Sequence, residues 1–211
     1  MRIPLFISTA LLIFMPIWAL FIWDPETMGP TARSSSEDPL ELASEPEGGD
    51  FTLKGEDGVV SLSDLRGQVL MLYFGYTFSP QRTPMAVGTI AAALDALGSQ
   101  AQEHVQGVFI SLDPRRDTPE RVATFAEHFD EGIIGLTGEE GAIEAVAERY
   151  GVARRLHSGT ASRGYTIDHS SYYYILDPEG ELVAWLPPAS TPRELAEVVA
   201  QQLAEAHEEE D

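Results

Sequence analysis

One continuous apolar run and a second, largely apolar one constrain what this chain can fold into. The first, VLMLYF, covers Val69 to Phe74, and the second, VQGVFISL, covers Val105 to Leu112. Such runs, without polar alternation, are typical of strands that are buried on both faces of a sheet. Apolar residues at helical spacing follow each run, in Pro84 to Ala96 and in Thr118 to Phe129. This order of strand, helix, strand and helix predicts an α/β domain.

Shorter elements flank this centre. FTLKGEDGVVSL, from Phe51 to Leu62, predicts a β-hairpin, and Glu139 to Tyr150 predicts a helix. Tyr172 to Leu176 and Leu182 to Leu186 predict a second hairpin around the turn DPEGE, and a last helix covers about Thr191 to Ala206. Strands that alternate with helices and close in an antiparallel hairpin predict a mixed sheet flanked by helices, which is the thioredoxin-like plan.

The N-terminal segment from Ile3 to Trp23 carries no charge, and it is about long enough as a helix to cross a hydrocarbon layer of ~30 Å. A cleaved secretory signal, a membrane anchor and a buried core helix are the three alternatives. The length and the aromatic end, with Trp18 and Phe21, favour the anchor, because signal peptides have shorter apolar regions and small residues at the cleavage site. Arg2 precedes the segment, so the positive-inside rule predicts a single-pass inner-membrane protein with an exported, periplasmic domain.

The chain therefore divides into an anchor at residues 1–23, a flexible tether at 24–50, a folded domain at 51–206 and an acidic tail at 207–211. The tether is predicted from its content of Pro, Ser, Gly and acidic residues. The formal net charge is −21, and Lys54 is the only lysine. A surface this acidic repels phosphate backbones, so we expect no nucleic-acid partner. The charge indicates either a cationic partner or a solvated surface in a salt-rich habitat, and the solvated surface is favoured.

The chain contains no cysteine. The stretch YFGYTFSPQRTP, from Tyr73 to Pro84, lies where a strand-to-helix turn would ordinarily carry a reactive thiol pair. A thiolate is the soft ligand for cuprous ion and the nucleophile in disulfide exchange, and neither serine nor threonine ionises near neutral pH to replace it. We therefore expect the protein to act without thiol chemistry.

Four segments carry a family resemblance: FTLKGEDGVVSLSDLRGQVLMLYFGYT from Phe51, VFISLDPRRDTPERVATFAEHF from Val108, IIGLTGEEGAIEAVAERYGV from Ile133 and YTIDHSSYYYILDPEG from Tyr165. Together they closely resemble the Sco/SenC family of membrane-anchored, thioredoxin-fold copper chaperones. The resemblance covers nearly everything from Phe51 to Ala204, in order and with family-like spacing. It implies a thioredoxin-like fold and a setting in the assembly of cytochrome c oxidase.

In that family the loop after the first central strand reads like FGYTHCPDVCP. Its two cysteines and a distant histidine bind copper and pass it to the dinuclear copper centre of the oxidase. In this chain the cysteine positions fall on Ser79 and Thr83, while Phe78 and Gln81 replace the usual histidine and aspartate. The distant histidine is retained as His169.

The substituted positions predict a degenerate metal site. Ser79 and Thr83 are hard, weak donors that do not hold Cu(I), and Arg82 between them repels a metal ion. We expect no resident cofactor, and we interpret His169 as a packed residue that remains at most a weak copper ligand. The other histidines lack metal-ligand spacing and are expected at the surface: His104, His128, His157 and His207.

The residue types Ser79, Thr83, His169 and Asp168 also suggest a hydrolytic site, and this interpretation is disfavoured. Neighbouring residues on a strand point to opposite faces, so Asp168 would not orient His169. We expect neither hydrolase nor redox activity. The leading hypothesis is an anchored, exported binding or scaffold factor whose partner is a respiratory oxidase subunit or an assembly factor. The alternative is a transient Cu(II) carrier that uses His169 with outside ligands.

Two further segments have a structural and a partner-binding interpretation. Asp113 to Pro119 follows the second central strand, and a turn with a helix cap at Thr118 is favoured over a partner contact. Tyr172, Tyr173 and Tyr174 would alternate between the faces of a strand, with at least one pointing outward or toward the site. Strand propensity is favoured over an interface anchor as the reason for this run.

Overall fold

The computed structural model describes residues 40–158 and 164–210. The expected membrane anchor at 1–23 and the first part of the expected tether, up to residue 39, lie outside these ranges. No helix within the two described ranges is both long and apolar enough to cross a membrane.

Strands and helices alternate along the described chain. The strands are β1 (Thr52–Gly55), β2 (Gly58–Ser61), β3 (Val69–Gly75), β4 (Val105–Ser111), β5 (Ile133–Leu136), β6 (Arg154–Ser158), β7 (Tyr165–His169), β8 (Tyr173–Leu176) and β9 (Leu182–Leu186). The helices are α1 (Arg82–Leu97), α2 (Ser99–Gln102), α3 (Pro119–Glu127), α4 (Glu140–Arg149) and α5 (Pro192–Glu210), with a 3-10 helix at Leu62–Leu65. Both predicted hairpins, both central strands and the four predicted helices are confirmed. The strand β5 and the hairpin β6–β7 were not predicted.

A five-stranded mixed sheet forms the centre, in the order β5, β4, β3, β8, β9. The strands β3, β4 and β5 run parallel, whereas β8 is antiparallel to β3 and to β9. All seven residues of β3 are buried, as its uninterrupted apolar run predicts. This sheet with helices on both faces is the thioredoxin-like α/β arrangement.

Alternate residues of β3 belong to two apolar clusters, one on each face of the sheet. Met71 and Tyr73 pack with residues of α1, α3 and α5. Leu72 and Phe74 pack with residues of β1 and α4. Because both faces are covered, the strand is buried along its whole length.

The starts of the helices follow local signals. The hydroxyl of Thr118 accepts a hydrogen bond from the backbone N–H of Arg121 (3.3 Å), and Pro119 occupies the first position of α3, so the predicted cap is confirmed. Helix α1 begins at Arg82, two residues before the predicted start. Pro84 then lies in the first turn, where its missing N–H is not needed for the helical hydrogen bonds.

The folded domain extends beyond the predicted bounds of 51 and 206 at both ends. Residues 40–50, assigned to the tether, lie against the end of α4, where the backbone N–H of Ala43 donates to the carbonyl of Gly151 (2.8 Å) and that of Glu47 to the carbonyl of Arg149 (2.8 Å). At the other end, α5 continues to Glu210, through residues assigned to the acidic tail.

Candidate functional site

Ser79 and Thr83, which occupy the cysteine positions of the resembled family, lie in the loop after β3 and in the first turn of α1. Both are buried, with 6% and 0% of their surface exposed. The hydroxyl of Ser79 accepts a hydrogen bond from the backbone N–H of Thr83 (3.2 Å), and the hydroxyl of Thr83 accepts one from the backbone N–H of Tyr76 (3.3 Å). The two hydroxyls therefore hold the start of the helix against the end of the strand.

The backbone passes close to Thr83 at Gly75. A Cβ atom on Gly75 would lie 2.6 Å from Oγ1 of Thr83 and 2.9 Å from a ring carbon of Tyr73. Neither separation is tolerated between non-bonded atoms, so the close packing of Thr83 on the strand requires glycine at this position.

His169, at the end of β7, is 1% exposed. Its Nδ1 lies 2.9 Å from the carbonyl oxygen of Ser170, so Nδ1 carries the proton and donates it. The other ring nitrogen, Nε2, is buried and has no hydrogen-bond partner among the described residues. Burial, aided by the nearby charge of Arg82, lowers the pKa of His169 to about 4, against the opposing effects of the Ser170 hydrogen bond and Asp168. The ring is therefore neutral near pH 7.

Two tyrosine rings surround His169. Tyr73 and Tyr76 both meet the imidazole edge to face, with ring centroids 6.2 Å and 6.0 Å away. The hydroxyl of Tyr73 is buried beside Ser171 and Thr83, but it forms no hydrogen bond of ordinary geometry with any described residue. Burial accordingly raises the pKa of Tyr73.

These side chains lack the thiolates that a tightly held cuprous ion prefers. One imidazole nitrogen is available, and the hydroxyls of Ser79 and Thr83 accept backbone hydrogen bonds. In the described part of the chain, no group of three or more histidine and acidic side chains could hold a metal ion. A soft Cu(I) ion requires soft ligands, which hydroxyls do not provide.

Asp168 and His169 point to opposite sides of β7. Asp168 pairs with the exposed His157 across the β6–β7 hairpin (Nε2 to Oδ2, 2.7 Å), while His169 is buried. The expected separation of the two side chains is confirmed, and Asp168 does not orient His169. Like His157, His104 and His128 are exposed, as predicted, whereas the side chain of His207 lies outside what the structure describes.

Arg116 connects the loop after β4 to the loop that contains Ser79, a contact that the sequence did not predict. Its guanidinium pairs with the buried Asp113 and donates to the carbonyl of Tyr165 (2.9 Å). It also stacks over the ring of Tyr165 (3.7 Å) and lies 4.8 Å from the ring centroid of Phe78. Arg121 approaches the same Phe78 ring at 5.1 Å, so a half-exposed aromatic side chain is held between two arginines.

Asp117 ties the same two loops together. Its carboxylate accepts hydrogen bonds from the backbone N–H of Thr77 (2.9 Å), the hydroxyl of Thr77 (2.5 Å) and the hydroxyl of Ser111 (2.6 Å). Asp117 is 1% exposed. The loop from Asp113 to Pro119 is therefore more than a turn and a helix cap, because it also fixes the position of the site loop.

The three consecutive tyrosines lie mainly inside the protein. Tyr173 is buried against Tyr73 on one face of the sheet, and Tyr174 is buried against Phe74 on the other. Tyr172 is half-buried. Tyr173 therefore packs against Tyr73, which in turn contacts His169. The opposite faces of Tyr173 and Tyr174 agree with the alternation predicted for a strand.

A family model described as SCO1/SenC matches residues 41–204. The protein SCO1 homolog 2, mitochondrial, of Arabidopsis thaliana is 34% identical over 158 residues, which are 74% of this chain and 57% of that protein. SCO2-like protein RC0895 of Rickettsia conorii is 34% identical over 152 residues, which are 71% of this chain and 74% of that protein.

Solved structures show the same relationship. Arabidopsis thaliana ScoI with copper bound has a TM-score of 0.69 and 33% identity, over 75% of this chain and 98% of that one. Bradyrhizobium japonicum ScoI with copper bound has a TM-score of 0.67 and 32% identity, over 74% of this chain and 99% of that one.

Proposed function

The chain belongs to the SCO1/SenC family, and from this premise we propose that it is an assembly factor for a respiratory copper oxidase that acts by binding a protein partner. It would do so without holding Cu(I) and without exchanging disulfides. Members of this family handle copper in the assembly of cytochrome c oxidase. Tight Cu(I) binding by thiolates and disulfide exchange both require cysteines, which this chain lacks.

The hydrogen bonds of Ser79 and Thr83 carry this proposal. At the positions where the family has ligands, the hydroxyl of Ser79 accepts a bond from the backbone N–H of Thr83 at the start of α1, and the hydroxyl of Thr83 accepts one from the backbone N–H of Tyr76 just after β3. Neutral hydroxyl oxygens are hard, weak donors, so these two positions offer little to a cuprous ion. The family framework is thus retained, while its central positions serve the structure of the loop.

The surface around Phe78 supports a binding role. Phe78 is 49% exposed and lies between Arg116 and Arg121. Met85, in the first turn of α1, is 63% exposed. Aromatic, methionine and arginine side chains are enriched in protein interfaces, and side chains already held in place lose little entropy on binding.

We further propose the cellular setting that the N-terminal sequence predicts. Residues 1–23 would anchor the chain in the inner membrane, residues 24–39 would form most of the tether, and the folded domain would lie on the exported, periplasmic side. An anchored domain is kept near other membrane proteins, which raises its effective concentration for a membrane-bound partner.

A second candidate function, transient carriage of Cu(II), is favoured by one observation. Nε2 of His169 is unpaired while Nδ1 donates to a backbone carbonyl, which is the arrangement of a histidine that ligates a metal. A single imidazole is too few ligands, so the remaining ones would come from outside the folded domain.

Copper titration of the full chain, purified in detergent, separates these functions. We expect no tight Cu(I) binding in competition with a chromophoric chelator. In a strain that lacks the gene, we expect oxidase assembly to be restored by the original protein and reduced in variants of Phe78 or Arg121. Stoichiometric Cu(I) binding that is lost in His169→Ala would contradict the binding-factor proposal. A Cu(II) signal with nitrogen ligation that requires His169 would support the carrier instead, whereas the surface variant Glu179→Ala should leave both readouts unchanged.

A further inference from the structure

We propose that the free edge of β5 is a docking site for an extended segment of a partner protein that carries basic side chains. Strand β5 is the edge strand of the five-stranded sheet. The proposed site is separate from the one formed by Ser79, Thr83 and His169, none of which lines it. An exposed strand edge offers unpaired N–H and C=O groups with which another chain can pair.

The register between β4 and β5 identifies the unpaired groups. Gly107 lies opposite Ile133, and its N–H donates to the carbonyl of Gly132 (2.9 Å). In a parallel pair, a residue bonds to both neighbours of the residue opposite. Gly132, Ile134 and Leu136 therefore pair with β4, and Ile133 and Gly135 turn their backbone groups toward the outer edge.

Strand β1 covers this edge at one position only. The N–H and C=O groups of Lys54 pair with those of Thr137 (2.6 Å and 2.9 Å) in an antiparallel bridge. If β1 continued along β5, residues 56 and 58 would lie opposite Gly135 and Ile133. The chain instead turns at this point into β2, which pairs with the other side of β1.

Three backbone groups consequently have no protein partner in the parts of the chain that the structure describes. They are the N–H and C=O of Gly135 and the C=O of Ile133, since the N–H of Ile133 donates to Asp130 (3.1 Å). Gly135 is buried. Buried backbone groups are almost always hydrogen-bonded in folded proteins, so this short row of groups is suited to pairing with an added strand.

A groove of about 260 Å³ lies over this edge, between β5, α3 and the β1–β2 turn. Its floor includes apolar side chains of Val60, Ala123 and Leu136. Its acidic side chains are Glu56, Asp57, Glu127 and Glu131, and no arginine or lysine of the described chain lines it. Val59, at the same rim, is 68% exposed.

Charge complementarity determines the occupant. An extended segment with alternating apolar and basic residues would place backbone groups opposite Gly135 and Ile133 and its cations near the four carboxylates. A second copy of this chain would bring the four acidic side chains of each groove close to those of the other copy, and these like charges would repel. The occupant is therefore a basic segment of another protein. It would pair antiparallel with Ile133 and Gly135, beyond the point where β1 pairs with Thr137.

The first test uses an acetylated and amidated hexapeptide of alternating lysine and valine, added to the full chain labelled with ¹⁵N-glycine. We expect saturation with the peptide to slow hydrogen exchange of the Gly135 amide by about tenfold or more, because that amide gains a hydrogen bond. The same peptide N-methylated at alternate residues, and a glutamate–valine hexapeptide, serve as controls and should give no protection. Binding without protection of Gly135 would overturn the proposal.

The second test changes the rim and leaves the backbone intact. In Glu127→Lys/Glu131→Lys, we expect the dissociation constant of the lysine–valine peptide to rise by about tenfold or more. Glu179→Lys/Glu205→Lys changes the net charge equally at exposed positions outside the groove, and it should alter the constant by no more than about twofold. Equal weakening in both variants would show attraction to the whole acidic surface and overturn the proposal. Sedimentation of a dimer that protects Gly135 without peptide would overturn it in favour of a second copy.

Discussion

The backbone N–H of Thr83 donates a 3.2 Å hydrogen bond to the side-chain hydroxyl of Ser79. These are the two positions at which the SCO1/SenC family has its cysteines, so a pair that serves metal binding in the family here stabilises the start of a helix. His169 nevertheless remains buried with an unpaired Nε2. Two of three ligand positions have changed chemically, while the third is still arranged as a ligand.

Replacing both hydroxyls with thiols should therefore restore copper binding. We expect Ser79→Cys/Thr83→Cys to bind one Cu(I) per chain, because two thiolates and the unpaired Nε2 of His169 make a soft ligand set. The measurement is anaerobic competition with a chromophoric chelator. The single variant Ser79→Cys should bind at least about tenfold more weakly, since it provides one thiolate fewer. No binding by the double variant would show that the loop has lost the ligand geometry.

The low pKa of His169 should make the free energy of unfolding depend on pH. The imidazole titrates at about 4 when folded and near 6.5 when unfolded. Between these values the unfolded chain binds a proton that the folded protein does not, so the free energy of unfolding falls as the pH drops from 6.5 to 4. The full effect is about 3 kcal/mol and levels off below pH 4.

Urea unfolding at several pH values, with His169→Asn as the comparison, measures this effect. Asparagine can still donate to the carbonyl of Ser170 and does not titrate, so the fall in the free energy of unfolding between pH 6.5 and 4 should shrink by about 3 kcal/mol, and the share of the carboxylates should remain. His128→Asn, at an exposed position, is the matched control. If His169→Asn kept the pH dependence of the original protein, another group would be responsible.

Much of the fold could be predicted because its central strands are long and largely apolar. Val69 to Phe74 is a short, continuous apolar run, and its length favours a strand covered on both faces over a buried helix. Ile133–Leu136 is too short, and is interrupted by Gly135, for periodicity to distinguish a strand from a loop. Arg154–Ser158 is polar and mostly exposed, so only its pairing with β7 makes it a strand.

The candidate site was predictable by position but not by contact. The resemblance located Ser79, Thr83 and His169, and the structure shows that all three side chains are buried, with Tyr73 packed against His169. Arg116 and Asp117 were assigned to a turn, because sequence carries no information on which loop a charged side chain will meet. The signal that could have identified them is the excess of charges in DPRRD after a buried strand, where carboxylates need partners.

Asp117 should be among the most costly residues to remove. Asp117→Ala would leave the N–H of Thr77 and the hydroxyls of Thr77 and Ser111 without their acceptor. We expect a loss of about 2–4 kcal/mol in the free energy of unfolding, because unsatisfied buried donors cost about 1–3 kcal/mol each and some regain water. Asp95→Ala, at an exposed site, should cost less than about 0.5 kcal/mol. Urea unfolding together with hydrogen exchange of the Thr77 amide measures both, and equal effects would refute the role of Asp117.

The last prediction concerns residues 40–50, which satisfy the end of α4. The carbonyl of Arg149 accepts from Glu47, and that of Gly151 accepts from Ala43. The hydroxyl of Tyr150 donates to Gly49 (3.2 Å). The last carbonyls of a helix have no partner within the helix, so a domain that begins at residue 51 exposes them. It should be less stable than one that begins at residue 40 by about 2–4 kcal/mol, at roughly 1 kcal/mol for each hydrogen bond and the rest from packing.

Substitutions in the full chain separate this docking from an effect of chain length. Leu42 packs against the apolar cluster on the α4 face of the sheet, so Leu42→Ala should lower the free energy of unfolding by about 1–2 kcal/mol. Glu45→Ala, at an exposed neighbour, should change it by less than about 0.5 kcal/mol. Equal stability of the two truncated domains, with no difference between Leu42→Ala and Glu45→Ala, would show that residues 40–50 belong to the tether and not to the folded domain. The opposite result would place the first residue of the folded domain near 40, close to the start of the family match at residue 41.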